Sequence, residues 1–308
     1  MRQSLLHPSR RPGKARRGAL LSRPAVLAER IERAHSLDPV VHSLSDSVVR
    51  ALPAGPRTDA LHGVPFGQPA HPALVRLPLG CWTSAVLLDL FRGTERATAV
   101  LIAAGVGTTV PAAATGLADW SALHEDQQRV GLVHAICQAG AATLFLGSLA
   151  ARAGGRTSTG RALSASGLAL ASIGAYFGGH LALRLGAGTS HAEQVSHLSG
   201  LGWHDLCGLD ELPDRRPVRR QLGYLSLLVY RQGSEVSVLS DRCSHLGGPL
   251  HQGRIVVERG AACVACPWHG STFVIADGTV VHGPATARQP SFETRVTADG
   301  RIELRPRP

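Results

Sequence analysis

The sequence predicts a multi-domain membrane protein: an α-helical bundle of four transmembrane helices, followed by an all-β domain that carries a metal-ligand set. Three observations predict it. Four apolar stretches, each of about twenty residues, follow one another between residues 73 and 183, and that is the length a helix needs to cross a hydrocarbon core. Beyond residue 198 the pattern changes to short runs of β-formers punctuated by Gly-containing turns. Within that second part, two Cys and two His arrive as two short loops, Cys243-Ser-His245 and Cys266-Pro-Trp-His269, each followed by glycine.

Ala73–Phe91 holds Arg76 and Asp89 near its ends, whereas Ala97–Ala118, Val130–Ala151 and Ala162–Leu183 contain no Asp, Glu, Lys or Arg. All are rich in Gly and Ala, which suits close helix packing in lipid. A soluble all-α bundle is the alternative, and uncharged runs of this length separated by short polar loops argue against it. The words H-P-A-L-V-R-L-P-L-G, T-G-L-A-D-W and G-G-H-L make residues 73–183 resemble an uncharacterised bacterial family of four-helix membrane proteins. That resemblance implies topology and little chemistry. The expected domains are 1–65 (a basic tail and an amphipathic helical segment), 66–190 (the membrane bundle) and 198–308 (the β domain).

Strand signals fill the last third. Tyr224–Tyr230 and Glu235–Leu239 are two strands joined at Gln232-Gly233. Phe273–Ile275, a turn at Asp277-Gly278, and Thr279–Val281 form a hairpin, as do Phe292–Thr297, Asp299-Gly300 and Arg301–Leu304. Arg254–Ala262 is expected to make a further hairpin between the two Cys/His loops.

Each of those loops supplies one thiol and one imidazole. Two thiolates on one iron and two imidazoles on the other are what a mixed-ligand [2Fe–2S] centre requires. Gly247, Gly248 and Gly270 allow tight turns and close backbone approach. Zinc is the alternative occupant, but zinc modules favour C-x-x-C with H-x-x-x-H over a Cys–His pair in each half. The words C-S-H-L-G-G-P-L and C-P-W-H-G-S closely resemble the Rieske [2Fe–2S] family, over about Leu198–Pro308. The resemblance implies Cys243, His245, Cys266 and His269 as cluster ligands. High-potential members carry an extra Cys in each loop, joined as a disulfide, and those places read Gly248 and Trp268 here. They also carry Ser and Tyr donors to the cluster sulfurs; Ser271 is kept, and the Tyr place reads Phe273. Fewer donors lower the potential, which implies the ferredoxin-type or dioxygenase-type subclass. Cys263 is expected to be a strand residue packed under the second loop, with ligand exchange as the alternative.

The membrane part carries its own histidines. His71 opens the first helix, His134 lies one turn into the third, and His180 lies one turn before the end of the fourth. In an up-down bundle all three fall on the face from which the β domain leaves, with Asp119 and His124 in a loop on that face. Such imidazoles could ligate haem b, line a quinol pocket or relay protons; capping carbonyls at helix ends is the structural alternative.

Net charge is +10, almost wholly from arginine, since Lys14 is the only lysine. Arg10, Arg11, Lys14, Arg16 and Arg17 cluster without an apolar run behind them, so a secretory signal is not expected. Aromatic residues are few and the basic ones scattered, so nucleic-acid binding is not expected. Ala25–Leu52 reads as one or two amphipathic helices broken at Asp38-Pro39. Orientation has arguments both ways. Arg92, Arg96, Arg152, Arg156 and Arg161 face away from the β domain and by short-loop counting should be cytoplasmic. The basic N-terminus and cysteines without a paired framework favour a cytoplasmic β domain instead.

The expected function is single-electron transfer by a multi-pass cell-membrane protein, between a membrane, haem or quinol donor and a soluble redox partner. The alternative is a non-catalytic membrane redox sensor using the same cluster. An oxygenase needs a further mononuclear-iron domain, and only about forty residues follow His269, too few for one.

Overall fold

The computed structural model describes residues 23–195 and 202–307. The basic cluster Arg10–Arg17 and the expected start of the β domain at Leu198 lie outside the described residues.

The amphipathic segment forms two helices, α1 (Arg23–Glu32) and α2 (Asp38–Ala51), and the second starts at Asp38-Pro39, where proline's missing N–H costs nothing. Both lie on the bundle. Ala28 of α1 is buried with Val130 and Phe177, and Val41 of α2 with Trp120 and Leu132. The buried guanidinium of Arg129 clasps them, with Nε 2.5 Å from Asp38 Oδ1 and Nη1 2.6 Å from the Glu32 carbonyl.

After α3 (Pro56–His62), the bundle consists of α4 (His71–Leu74), α5 (Arg76–Leu88), α6 (Glu95–Ser121), α7 (Glu125–Ala153) and α8 (Thr157–Leu183). Three helices, α6, α7 and α8, are long and apolar enough to cross a membrane. The expected fourth span is not confirmed. The stretch Ala73–Phe91 is divided between α4 and α5, and the 13 residues of α5 reach only about 20 Å, short of the hydrocarbon thickness.

The bundle is two helical hairpins, α4–α6 and α7–α8, and they repeat each other. Residues sixty-three apart in the leading helices meet across the bundle. His71 and His134 have ring centres 6.4 Å apart, Trp82 stacks on Phe145 at 4.5 Å, and Asp89 accepts from Arg152 at 2.5 Å. Their spacings are about three and then about two helical turns, so the contacts form one stripe. The trailing helices repeat at an offset of sixty-two. Buried Thr98, Ile102, Gly105, Ala112, Thr115 and Ala118 of α6 correspond to buried Gly160, Ser164, Gly167, Gly174, Phe177 and His180 of α8. A Cβ on Gly105 would enter the Trp82 indole, and one on Gly167 would lie 3.0 Å from the Phe145 ring. Equivalent residues touch their own counterparts only on a two-fold axis, so the hairpins are related by a pseudo-dyad.

The β domain holds two antiparallel sheets. The six-stranded sheet runs β1 (His204–Gly208), β10 (Arg301–Pro306), β9 (Ser291–Val296), β4 (Glu235–Ser240), β3 (Leu225–Gln232), β2 (Val218–Leu222). The smaller runs β5 (Arg254–Glu258), β6 (Ala261–Ala265), β7 (Thr272–Val274), β8 (Val280–His282). The expected hairpins are present, β5–β6 turning through Arg259-Gly260 with positive φ at both. β3 is apolar from Leu227 to Tyr230, where both its faces are covered. Leu227 and Val229 pack with Phe292 and Ile302, while Leu228 and Tyr230 pack with Phe273, Cys243 and Cys266 under the smaller sheet.

Candidate metal centre and its dock on the bundle

The first Cys/His loop follows β4 and the second joins β6 to β7. They close in the same way. Cys243 N–H donates to the Gly248 carbonyl at 2.9 Å while its own carbonyl accepts from Gly247 N–H at 2.8 Å. Cys266 N–H donates to the Ser271 carbonyl at 2.8 Å and its carbonyl accepts from Gly270 N–H at 3.1 Å. Gly247 and Gly270 hold φ of 78° and 76°, a left-handed conformation that glycine adopts without a Cβ penalty. Buried Gln289 fixes the first loop: its Oε1 accepts Ser244 N–H at 2.9 Å, and its Nε2 donates to the Ser240 and Arg242 carbonyls. Buried Ser271 fixes the second, accepting Ala285 N–H at 3.0 Å and keeping its hydroxyl proton for another acceptor.

All four sequence-predicted donors converge, and they do so in like pairs. The Cys243 and Cys266 thiols hydrogen-bond each other, and the His245 and His269 rings stand 5.1 Å apart at 88°. Their mutual hydrogen bond pushes Cys243 well above the ordinary thiol range and brings Cys266 down to about 7. Burial lowers His245 to about 3 and His269 to about 4, so both imidazoles stay neutral, the form that ligates metal. Thiols on one side and neutral imidazoles on the other fit a [2Fe–2S] group with two ligands at each iron. A Cβ on Gly248 would stand 2.8 Å from Cys266 Sγ and 3.1 Å from the Trp268 ring, so these two residues meet between the loops. Cys263 is buried in β6.

The tip rests on the membrane domain. His124, which caps α7, lies 5.6 Å from His269 and 5.3 Å from Trp268, ring centre to ring centre. Asp59 of α3 pairs with His282 Nδ1 at 2.9 Å and accepts Gly283 N–H at 2.9 Å. Behind it, His62 Nδ1 bonds Asp119 at 2.8 Å. His191 N–H donates to the Ser244 carbonyl at 2.8 Å, tying the segment after α8 to the first loop. Asp59, His62 and His282 were not legible as partners: each is a single common residue, and the Asp59–His282 bond spans 223 residues.

Of the three membrane histidines, the structure brings two together. His71 and His134 face each other across the pseudo-dyad, each Nδ1 bonded to a backbone carbonyl. His180 is elsewhere, with Nε2 2.6 Å from Glu32 of α1.

A two-sheet β domain presenting two Cys/His loops, carried on apolar helices, defines a membrane-attached iron–sulfur protein. Residues 202–293 match the family model "Rieske [2Fe-2S] domain", and residues 67–191 match "Predicted membrane protein (DUF2231)". The anthranilate 1,2-dioxygenase ferredoxin subunit of Burkholderia cepacia is 33% identical over 102 residues, covering 33% of this chain and 90% of that protein. A human Rieske domain-containing protein is 32% identical over 74 residues, covering 24% of this chain and 46% of that protein. Among solved structures, the Sphingomonas yanoikuyae B1 ferredoxin is 26% identical with a TM-score of 0.30, covering 35% of this chain and all of that one. The chain belongs to the Rieske [2Fe–2S] family through its C-terminal third, a ferredoxin-type electron-transfer domain joined to an N-terminal membrane domain.

Proposed function

We propose that the protein is a membrane-anchored single-electron carrier whose cluster is held by Cys243, His245, Cys266 and His269, with a donor on the membrane-domain side and a soluble redox partner as acceptor. A [2Fe–2S] cluster bound there supplies one-electron exchange without a change of covalent partners. The chain's own residues hold it, keep both imidazoles neutral, and set the tip against the bundle. The observation that carries this reading is the contact of His269 with His124 at 5.6 Å: a ligand imidazole lies against the membrane domain. Trp268 beside it remains 48% exposed and offers the surface a soluble partner would meet.

We read α4 and α5 together as the fourth, kinked crossing, because they are the dyad equivalent of α7. We place residues 198–308 as the cluster domain, on the cytoplasmic side of the bilayer. Free cysteines support that side. The opposing arginine count is weakened because Arg152 and Arg161 both neighbour Asp89.

The test is anaerobic purification in detergent with iron and sulfide analysis and EPR after reduction. About two irons and two sulfides per chain with a Rieske-type signal are expected, and Cys243→Ser or His269→Ala should remove both. A colourless, zinc-loaded protein would refute it. The redox-sensor reading draws on the same dock, since Asp59, His282 and His124 join tip and bundle. It would be favoured if cluster oxidation changed that dock while no soluble partner accepted the electron.

A further inference from the structure

We propose that His71 and His134 are the two axial ligands of one haem iron, held on the pseudo-dyad between the helical hairpins. This rests on the electron-carrier reading, and gives its membrane-side donor a chemical identity.

The two imidazoles are prepared alike. His71 Nδ1 donates to the Ala112 carbonyl at 2.8 Å and His134 Nδ1 to the Gly174 carbonyl at 2.7 Å. A carbonyl only accepts, so each ring carries its proton on Nδ1 and its lone pair on Nε2. Neither Nε2 has a hydrogen-bond partner among the described residues. A metal-ligating histidine shows the same arrangement, its second nitrogen tied to a carbonyl or carboxylate. One turn beyond each accepting carbonyl stands a glycine. A Cβ on Gly116 would lie 2.7 Å from His71 Cε1, and one on Gly178 would lie 3.1 Å from His134 Cε1. Ala112 and Gly116 are the dyad equivalents of Gly174 and Gly178, so one imidazole niche is built twice.

The separation fits a trans pair on one ion. With metal–nitrogen bonds of about 2.1 Å and a ring centre about 1.1 Å further on, two imidazoles trans on one ion have centres about 6.4 Å apart, and two at a tetrahedral angle about 5.2 Å. The observed separation is 6.4 Å, with the rings at 85°. A trans pair leaves an equatorial plane to fill. An iron porphyrin brings four equatorial nitrogens of its own and asks the protein only for axial ligands. His134 lies ten residues past His124, about 15 Å along α7, so the group would sit beneath the docked tip.

The test is titration of the full-length chain in detergent with hemin, followed by optical and EPR spectroscopy. Uptake of one hemin per chain with a low-spin, bis-imidazole spectrum is expected. His71→Ala and His134→Ala should each bind hemin at least tenfold more weakly, and His134→Gly should regain the low-spin spectrum on adding imidazole. A wild-type protein that takes up no hemin overturns the proposal, as do both alanine variants binding like wild type. Cluster reduction by a quinol in haem-free protein also overturns it, in favour of a quinol pocket. Cluster EPR on the same samples separates the two readings: cluster without haem defeats only this proposal, and haem without cluster defeats only the carrier reading.

Discussion

The imidazole of His124 stands 5.6 Å from that of His269, although 145 positions separate them in the chain. One belongs to the membrane bundle and the other to the iron–sulfur domain. Their meeting makes the dock part of the metal centre's surroundings, and several predictions bear on how that dock and centre are held.

Asp59→Ala should loosen the dock. It leaves the Gly283 amide and His282 without their acceptor, at a cost of about 1–3 kcal/mol. Hydrogen exchange at the Gly283 amide should quicken by about 10- to 100-fold, while amides paired between β9 and β10 stay protected. Unchanged exchange at Gly283 would show that the bond does not hold the two domains together.

Gly248→Ala should damage the cluster site. The new methyl would lie 2.8 Å from Cys266 Sγ, closer than carbon and sulfur tolerate, and the Trp268 ring blocks retreat on the other side. Iron and sulfide content should fall by more than half in protein that keeps its β-sheet circular dichroism. Full occupancy would mean that the loops yield more readily than their hydrogen bonds suggest.

Phe273→Tyr should raise the reduction potential. Phe273 is fully buried and packs with Cys243 and Cys266. A hydroxyl there that favours the reduced cluster by about 1 kcal/mol moves a one-electron potential up by about 40 mV. An EPR-monitored redox titration of both proteins decides it; a fall in potential would contradict the argument.

Attachment of α1 and α2 should depend on pH in one direction only. The Arg129 hydrogen bond holds the Asp38 carboxyl below the ordinary carboxylate range. A depressed folded value means the contribution is complete above the unfolded pKa of about 3.9 and is lost as pH falls through the lower folded value. Limited proteolysis between α1 and α2 should therefore be the same at pH 7 and pH 5 and accelerate only below about pH 4. Acceleration already at pH 5 would point to another group.

The two Cys/His loops were legible because Cys243, His245, Cys266 and His269 are rare donor types at fixed short spacings, and both loops end in the glycines that their turns require. The strands nearest them were legible from β-branched runs and turn pairs, whereas β1 and β2 were missed, Val218–Leu222 being mostly polar. The fourth span is not confirmed because hydropathy ignores the division at Val75 and the short length of α5. His180 was grouped with His71 and His134 because depth was readable and rotation was not. It stands six residues past Gly174, about 240° round α8, and so meets Glu32 of α1. The repeat is hidden in the sequence because Trp82 answers to Phe145 and Asp89 to Arg152, equivalent in place and unlike in kind.

That last pair governs how the hairpins can assemble. Asp89 and Arg152 occupy the same position in the two halves and touch on the axis. Two copies of the first hairpin packed like with like would oppose carboxylate to carboxylate, and two of the second would oppose guanidinium to guanidinium. Like charges held close in a site shielded from water repel strongly. Each half is therefore its twin's obligate mate: an early-inserted first hairpin is discouraged from pairing with its own kind and kept for the half that follows it.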